Sequence, residues 1–182
     1  MNLLLAFSPF VAFVIIERLC GVPFGLGAGA AVAALMLLRD AVSPNRKVKL
    51  LEIGTTLLFA FLTVYALVND VQWSIAAVRL RVDAGLALVV LISIALRQPF
   101  TLQHARESVS REQSDTPRFL RVNYVISIAW AVAFAILALA DVLMAYVPTR
   151  PHGTGIALTV IAIVAAMKFT TWYPAQTVAL RT

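Results

Sequence analysis

The chain has 182 residues, 61% hydrophobic and only 13% charged, with a mean hydropathy of +0.89. Soluble domains hold about 45–50% apolar and about 25% charged residues, so this composition points to an integral membrane protein. One cysteine, Cys20, permits no intrachain disulfide. The two histidines, His104 and His152, lie in polar stretches, which argues against a bis-histidine haem or a Cys/His zinc site.

A helix rises about 1.5 Å per residue and the hydrocarbon core is about 30 Å thick, so the chain has room for about six crossings once loops are included. Six apolar stretches stand out in chain order. Span one covers about 3–19 and span two about 21–38, joined through Glu17, Arg18 and a bend at Val22-Pro23. Nothing basic precedes span one and no small-x-small cleavage site follows it, so it is expected to remain as a span rather than act as a signal peptide. The basic run Arg39 to Lys49, with Ser43-Pro44-Asn45 as turn signal, leads to span three at about 50–68. Span four, about 76–96, is interrupted by Arg79, Arg81 and Asp83, and only 84–96 is fully apolar, so the charged turns must be drawn into the bundle or its interface. Span five covers about 122–147 and span six about 155–173. The expected fold is thus a single all-α transmembrane domain, residues 1–182, with six helices.

Orientation follows from Lys and Arg on alternate sides. With the N-terminus inside, ten fall in cytoplasmic segments, including Arg39, Arg46, Lys47, Lys49, Arg97, Arg118 and Arg181. Four, Arg18, Arg79, Arg81 and Arg150, fall opposite, and Lys168 lies within span six. Both termini are therefore expected in the cytoplasm. Trp73, Tyr146, Trp172 and Tyr173 near span ends agree with interfacial placement. This distribution also accounts for the basic charge without a nucleic-acid partner. Pro-Phe triplets at Ser8-Pro9-Phe10, Val22-Pro23-Phe24 and Gln98-Pro99-Phe100 hint at an inverted repeat, but three short matches are weak support for one.

Charges inside spans are costly and mark candidate sites. Glu52 lies about 10 Å from its span centre, one turn from Lys49, and reads as half of a surface pair. Lys168, about 6 Å from its centre, either snorkels or finds an internal partner. The outer half gathers Glu17, Arg79, Arg81, Asp83 and Asp141. Arg79 and Asp83, four apart, share a helical face and can pair. Asp141 stands alone among apolar neighbours and needs a donor, for which Arg81 or Arg79 is the candidate. Two readings are open: a clamp joining spans one, four and five, or an outward-facing polar cavity for an anionic or amphiphilic ligand. Gly25 and Gly29 make a small-xxx-small face for close helix packing. Thr55, Thr56, Ser93, Ser127, Thr170 and Thr171 are expected to bond to carbonyls one turn back.

The stretch Arg97 to Arg121 is the longest polar one. Thr101 can cap a helix over about 101–112 with Leu102, Ala105 and Val109 on one side and Gln103, His104, Arg106, Glu107 and Arg111 on the rest. Such a helix would lie on the membrane surface; a solvated loop is the alternative. No G-x-S-x-G, H-E-x-x-H, Walker A or G-x-G-x-x-G sequence occurs, so no catalytic residue, metal ligand or cofactor site is expected.

Several short motifs carry a family likeness: Leu5-Ala6-Phe7-Ser8-Pro9-Phe10-Val11-Ala12-Phe13, the turn Arg97-Gln98-Pro99-Phe100, Pro117 followed by Asn123, and Ala129-Trp130-Ala131-Val132-Ala133-Phe134. With them the chain resembles the bacterial intracellular septation protein A family, departing from its pattern at Phe119 and Asp141. The resemblance implies a non-enzymatic, multi-pass protein of the bacterial inner membrane. Its role would be envelope maintenance, septation or division, through contacts with lipids and with division or wall-synthesis membrane proteins, and a homo-oligomer is compatible with it. It would also make the segment holding Arg97, Pro99, Phe100, His104, Arg106, Glu107 and Asn123 a candidate interfacial or partner-contact region. The other reading is a small transporter or lipid-handling protein that uses the outer polar cluster.

Overall fold

The computed structural model describes residues 3–44, 47–71, 73–146 and 152–179. Arg46, Arg150 and Arg181, used above for orientation, lie outside the described residues. Within them the chain forms α1 (Leu3–Ala6), α2 (Ser8–Cys20), α3 (Val22–Val42), α4 (Leu50–Val68) and α5 (Ile75–Ala95). A short α6 (Phe100–Ala105), a 3₁₀ turn (Arg106–Ser108) and α7 (Arg111–Ser114) then lead to α8 (Pro117–Tyr146) and α9 (His152–Ala179).

Among the described residues, four helices are long and apolar enough to cross a membrane: α3, α4, α8 and the segment Gly153–Ala175 of α9. The other two expected spans are helical in the expected places but fall short on their own. The first is broken at Phe7, which leaves α2 with 13 residues. The fourth, α5, carries Arg79, Arg81 and Asp83 in its first half. Large apolar side chains on the outside are abundant, including Leu57, Phe61, Val64 and Val68 along one face of α4 and Leu88, Leu91 and Ile92 on α5. A water-soluble surface does not carry continuous apolar faces of this extent.

The Pro-Phe triplets have a local explanation. Pro9 and Pro23 sit in the first two positions of α2 and α3, and Pro99 immediately precedes α6. A helix start needs no amide hydrogen there and favours the φ that proline fixes, so the triplets mark helix starts, with no need for a duplication.

Helices adjacent in sequence pack side by side, α2 on α3, α3 on α4 and α4 on α5, after which α5 packs on α8 and α8 on α9. Half of the apolar stretch of α8 is buried, against 17% for α9, so α8 is the central helix and α9 is peripheral. Phe7 stacks on Trp130 of α8 at 4.9 Å, while Phe10 and Phe13 meet Phe59 of α4 at 5.2 and 5.7 Å, so the start of α2 sits between the two. The expected small-residue face is used on both its members. A Cβ on Gly25 would lie 2.9 Å from the backbone of Glu17, and one on Gly29 would lie 2.7 Å from the Phe59 ring. Close approach of α3 to α2 and α4 therefore requires glycine at these points.

Pro99 follows a tight stop of α5. Arg97 adopts φ +58, Arg97 N–H donates to the Ile94 carbonyl at 3.0 Å and Gln98 N–H to that of Ser93 at 2.9 Å. This is a Schellman arrangement with arginine where glycine is usual. It turns α6 back against the bundle, and here the structure corrects the surface-helix expectation. Instead of one helix over 101–112 lying on a membrane surface, six residues of α6 dock onto α8 with Phe100, Thr101, Leu102 and His104 buried. The physical reason is a polar latch. Thr101 Oγ1 donates to the Asn123 carbonyl (2.8 Å) and lies 2.7 Å from Ser127 Oγ, and Ser93 Oγ accepts from Phe100 N–H (3.2 Å). Ser127 thus pairs across helices, whereas Thr55, Thr56 and Thr170 bond to carbonyls one turn back as expected.

Substituting Gly25 by valine forces α2 and α3 apart. The expected outcome is a loss of about 1–3 kcal/mol, the usual cost of overpacking, measured by denaturation in detergent. Gly27→Ala, whose Cβ meets nothing within 4 Å, is expected to be neutral.

Candidate functional site

Polar side chains collect at two opposite ends of the bundle. Where α3 ends and α4 begins, Lys49 is 2% exposed and is the hub of a charge cluster. Its Nζ lies 2.6 Å from Asp40 Oδ2, 2.8 Å from Glu107 Oε1 and 3.3 Å from Glu52 Oε1. Asp40 also pairs with Arg39 at 2.8 Å. One ammonium thus joins α3, α4 and the turn after α6. The expected Lys49–Glu52 pair exists but is buried, because Asp40 and Glu107 enclose it. Gln103 completes the junction: its Oε1 accepts from Leu50 N–H, an orphan amide at the start of α4, and its Nε2 donates to the Gln98 carbonyl, both at 2.8 Å. Burial opposes the charge on Lys49, but the hydrogen bonds to Asp40 and Glu107 and the Glu52 charge outweigh it and hold its pKa above the usual 10.5.

His104 sits beside this hub and is 4% exposed. Its Nδ1 lies 2.9 Å from the Phe100 carbonyl, an acceptor, so Nδ1 carries the proton. Nε2 is buried with no hydrogen-bond partner. Burial pushes the imidazole pKa below its ordinary 6.5, aided by Lys49, against the opposing effect of the Phe100 carbonyl and the charges of Glu107 and Asp40.

At the other end α2, α5 and α8 bring together Glu17, Arg79, Asp83 and Asp141. Glu17 is 3% exposed and pairs with Arg79, Nε to Oε2, at 3.6 Å. The carboxyl groups of Asp83 and Asp141 meet across the α5–α8 contact. Asp141 is 2% exposed and its Oδ2 has no hydrogen-bond partner. Arg79 acts on both aspartates through its charge. Its ion pair nevertheless goes to Glu17, not to Asp83 as helical spacing suggested. Arg81 is not part of the group. It donates to the Ala77 carbonyl at 2.6 Å and lies 4.4 Å over the Trp73 ring, which stacks on Tyr65. Asp141 therefore finds a second acid where an arginine donor was expected.

Arg79, Asp83 and Asp141 line a cavity of about 510 Å³ between α2, α5, α8 and α9. Its other walls are almost wholly apolar, with Phe7, Phe10, Trp130 and Phe134 toward one end and Met144, Ile156 and Thr159 near the acids. The volume falls in the range of small-molecule sites, about 300–1,000 Å³. Among the described residues no group of three or more metal-ligating side chains occurs.

The structure therefore gathers Glu17, Arg79, Asp83 and Asp141 and leaves Arg81 aside. In the second expected segment, Phe100, His104 and Asn123 are buried, and the exposed Glu107 reaches the buried Lys49. Arg97 and Pro99 form the turn, and Arg106 reaches the exposed Asp115 at 3.2 Å. Two features escaped the sequence reading: the Asp83–Asp141 contact, and Asp40 with Glu107 as partners of Lys49. Acidic residues at 40, 52 and 107 within otherwise basic segments were the available signal for the second. In comparisons with known proteins, no family model, curated protein or solved structure matches the chain. The septation-family likeness rests on the motifs quoted above.

Lys49→Met leaves three carboxylates facing one another. A loss of about 3–5 kcal/mol is expected from breaking a buried pair, and a loss below about 1 kcal/mol, the range of exposed pairs, contradicts the hub. For His104 the sign is set by a folded pKa below the unfolded one, so its stability contribution is present above pH 6.5 and is lost as pH falls through the folded value. Thermal scans should show stability falling below that pH, and His104→Gln should flatten this part of the profile.

Proposed function

We propose that this chain is a six-span bacterial inner-membrane protein with both termini cytoplasmic, and that its function is to bind an amphiphilic molecule, as a lipid-handling protein or small transporter. One observation carries the reading: a cavity of about 510 Å³ whose walls are apolar except for Arg79, Asp83 and Asp141 at one end. An amphiphile has the matching division into a long apolar part and a compact polar group. Such pockets between helices, with few convergent polar groups, are typical ligand sites. α9 is only lightly packed into the bundle, and Val160 and Met167 on its cavity side are exposed. An opening toward the acyl chains between α2 and α9 follows from that arrangement.

Two further spans are supported by the structure of the charged segments. α2, 13 residues, reaches about 20 Å at 1.5 Å per residue, and α1 extends this segment beyond the turn at Phe7 toward the hydrocarbon thickness. In α5 each charge has company: Arg79 has Glu17, Arg81 has the Ala77 carbonyl and Trp73, and Asp83 has the charge of Arg79 and a carboxyl contact with Asp141. Charges so accompanied are the kind that spans tolerate. The septation-family resemblance supports a setting in envelope maintenance, septation or division, with no catalytic step. A ligand-responsive membrane protein fits that setting.

The test uses Trp130 as reporter in a Trp73→Phe, Trp172→Phe background, since the chain has 3 tryptophans. Brominated amphiphile added to the protein in nanodiscs is expected to quench Trp130 saturably, and Thr159→Phe, which fills the cavity, to abolish the saturable part. Quenching that only rises linearly, as for bulk lipid, overturns the reading. The topology is tested separately by cysteine labelling of intact cells after Cys20→Ser. Asn69→Cys should be reached from outside and Glu112→Cys should not.

A further inference from the structure

The charge balance of the cavity goes further than its shape. We propose that the amphiphile is cationic, with a primary ammonium headgroup seated between Asp83 and Asp141 and its tail running toward Trp130. This rests on the cavity being a binding site, as proposed above.

The site holds three acidic side chains, Glu17, Asp83 and Asp141, and one guanidinium, Arg79, already 3.6 Å from Glu17. Arg81, the second cation that an anionic ligand would need, is turned away onto Trp73. An anionic headgroup would meet two aspartates and an arginine whose charge is already paired with Glu17, although its Nε makes no hydrogen bond, whereas a cation meets two acids with no other cation between them. Asp141 supplies an independent pointer. It is 2% exposed, lines the cavity, and leaves Oδ2 without a hydrogen-bond partner. Buried polar atoms of this kind are rare and call for a partner. A primary ammonium brings three donors and a charge. A quaternary ammonium brings the charge but no donor, so Oδ2 would stay unsatisfied.

The position of the tail follows from α8. Asp141 and Trp130 lie on one helix eleven residues apart, or about 16 Å at 1.5 Å per residue. Leu137 and Phe134 line the path between them and Phe7 stands against Trp130. An extended alkyl tail has apolar wall along that whole distance.

The experiment is a titration of Trp130 emission, in the same two-substitution background and in phosphatidylcholine nanodiscs, with dodecylammonium, dodecyltrimethylammonium, dodecanol and dodecyl sulfate. Dodecylammonium is expected to bind tightest, by about tenfold or more over dodecyl sulfate, with the trimethyl compound between them. In Asp83→Asn and Asp141→Asn that preference should fall by a similar factor while dodecanol binding is unchanged. Dodecyl sulfate binding as tightly as dodecylammonium overturns the cationic assignment and leaves the cavity reading standing. No saturable response to any of the four overturns both. If an aspartate variant does not fold, the ligand series on the unsubstituted cavity still decides, and a folded variant that keeps the ammonium preference also overturns the assignment.

Discussion

Water is absent from the inside of a helical bundle, so an ionised side chain there must be met by a partner from a neighbouring helix, and that demand fixes how these helices sit. Lys49 is met by carboxylates from α3, α4 and the turn after α6. Glu17 is met by Arg79, and the two acids in contact across α5 and α8, Asp83 and Asp141, are met by the charge of the same arginine. The two groups lie at opposite ends of the bundle and between them tie α2, α3, α4, α5 and α8. A sliding of one helix by a single turn would strand a charge at one end or the other. Breaking a pair of this kind costs several kcal/mol even though forming it gains little over an apolar pair, so the pairs specify register more than they add stability.

Between those ends the packing is apolar and uneven. Gly25 and Gly29 let α3 approach α2 and α4 to backbone or ring contact, and Val78, Val82, Leu26 and Phe59 form a buried cluster on that side. On the other side α9 rests on α8 through Trp130 Nε1, which donates to Thr170 Oγ1 at 2.9 Å, and through Gly155, which accommodates Met144. Among the described residues α9 packs on α8 far more than on α2. The same small-residue rule that closes one half of the bundle thus leaves a cavity in the other, with the less completely neutralised of the two charge groups at its end.

Much of the fold was legible because apolar run length and its interruption are strong signals. Span three was expected at 50–68 and α4 is Leu50–Val68; span four was expected at 76–96 and α5 is Ile75–Ala95. The break at Phe7 was missed although Ser8-Pro9 marks a helix start there, because the apolar run was read as continuous through it. The surface-helix expectation for 101–112 failed because Thr101 was read as a helix cap while its hydroxyl actually serves a contact across to Asn123 and Ser127. The outer cluster was legible as a set of residues but not as a set of pairs. Spacing along one helix favoured Arg79 with Asp83, yet contacts between helices decide, and no local pattern reports that Arg81 turns toward Trp73 while Asp83 faces Asp141.

Binding of an amphiphile requires that the cavity between α2, α5, α8 and α9 be occupied in the membrane by something other than protein or bulk lipid. The most direct measurement is an experimental structure of the protein extracted in native lipid nanodiscs. Elongated non-protein density is expected, with one end within hydrogen-bonding distance of Asp83 and Asp141 and the other against Trp130. Side chains of α9 or of a second copy filling that space, with Asp141 bonded to protein alone, would contradict it.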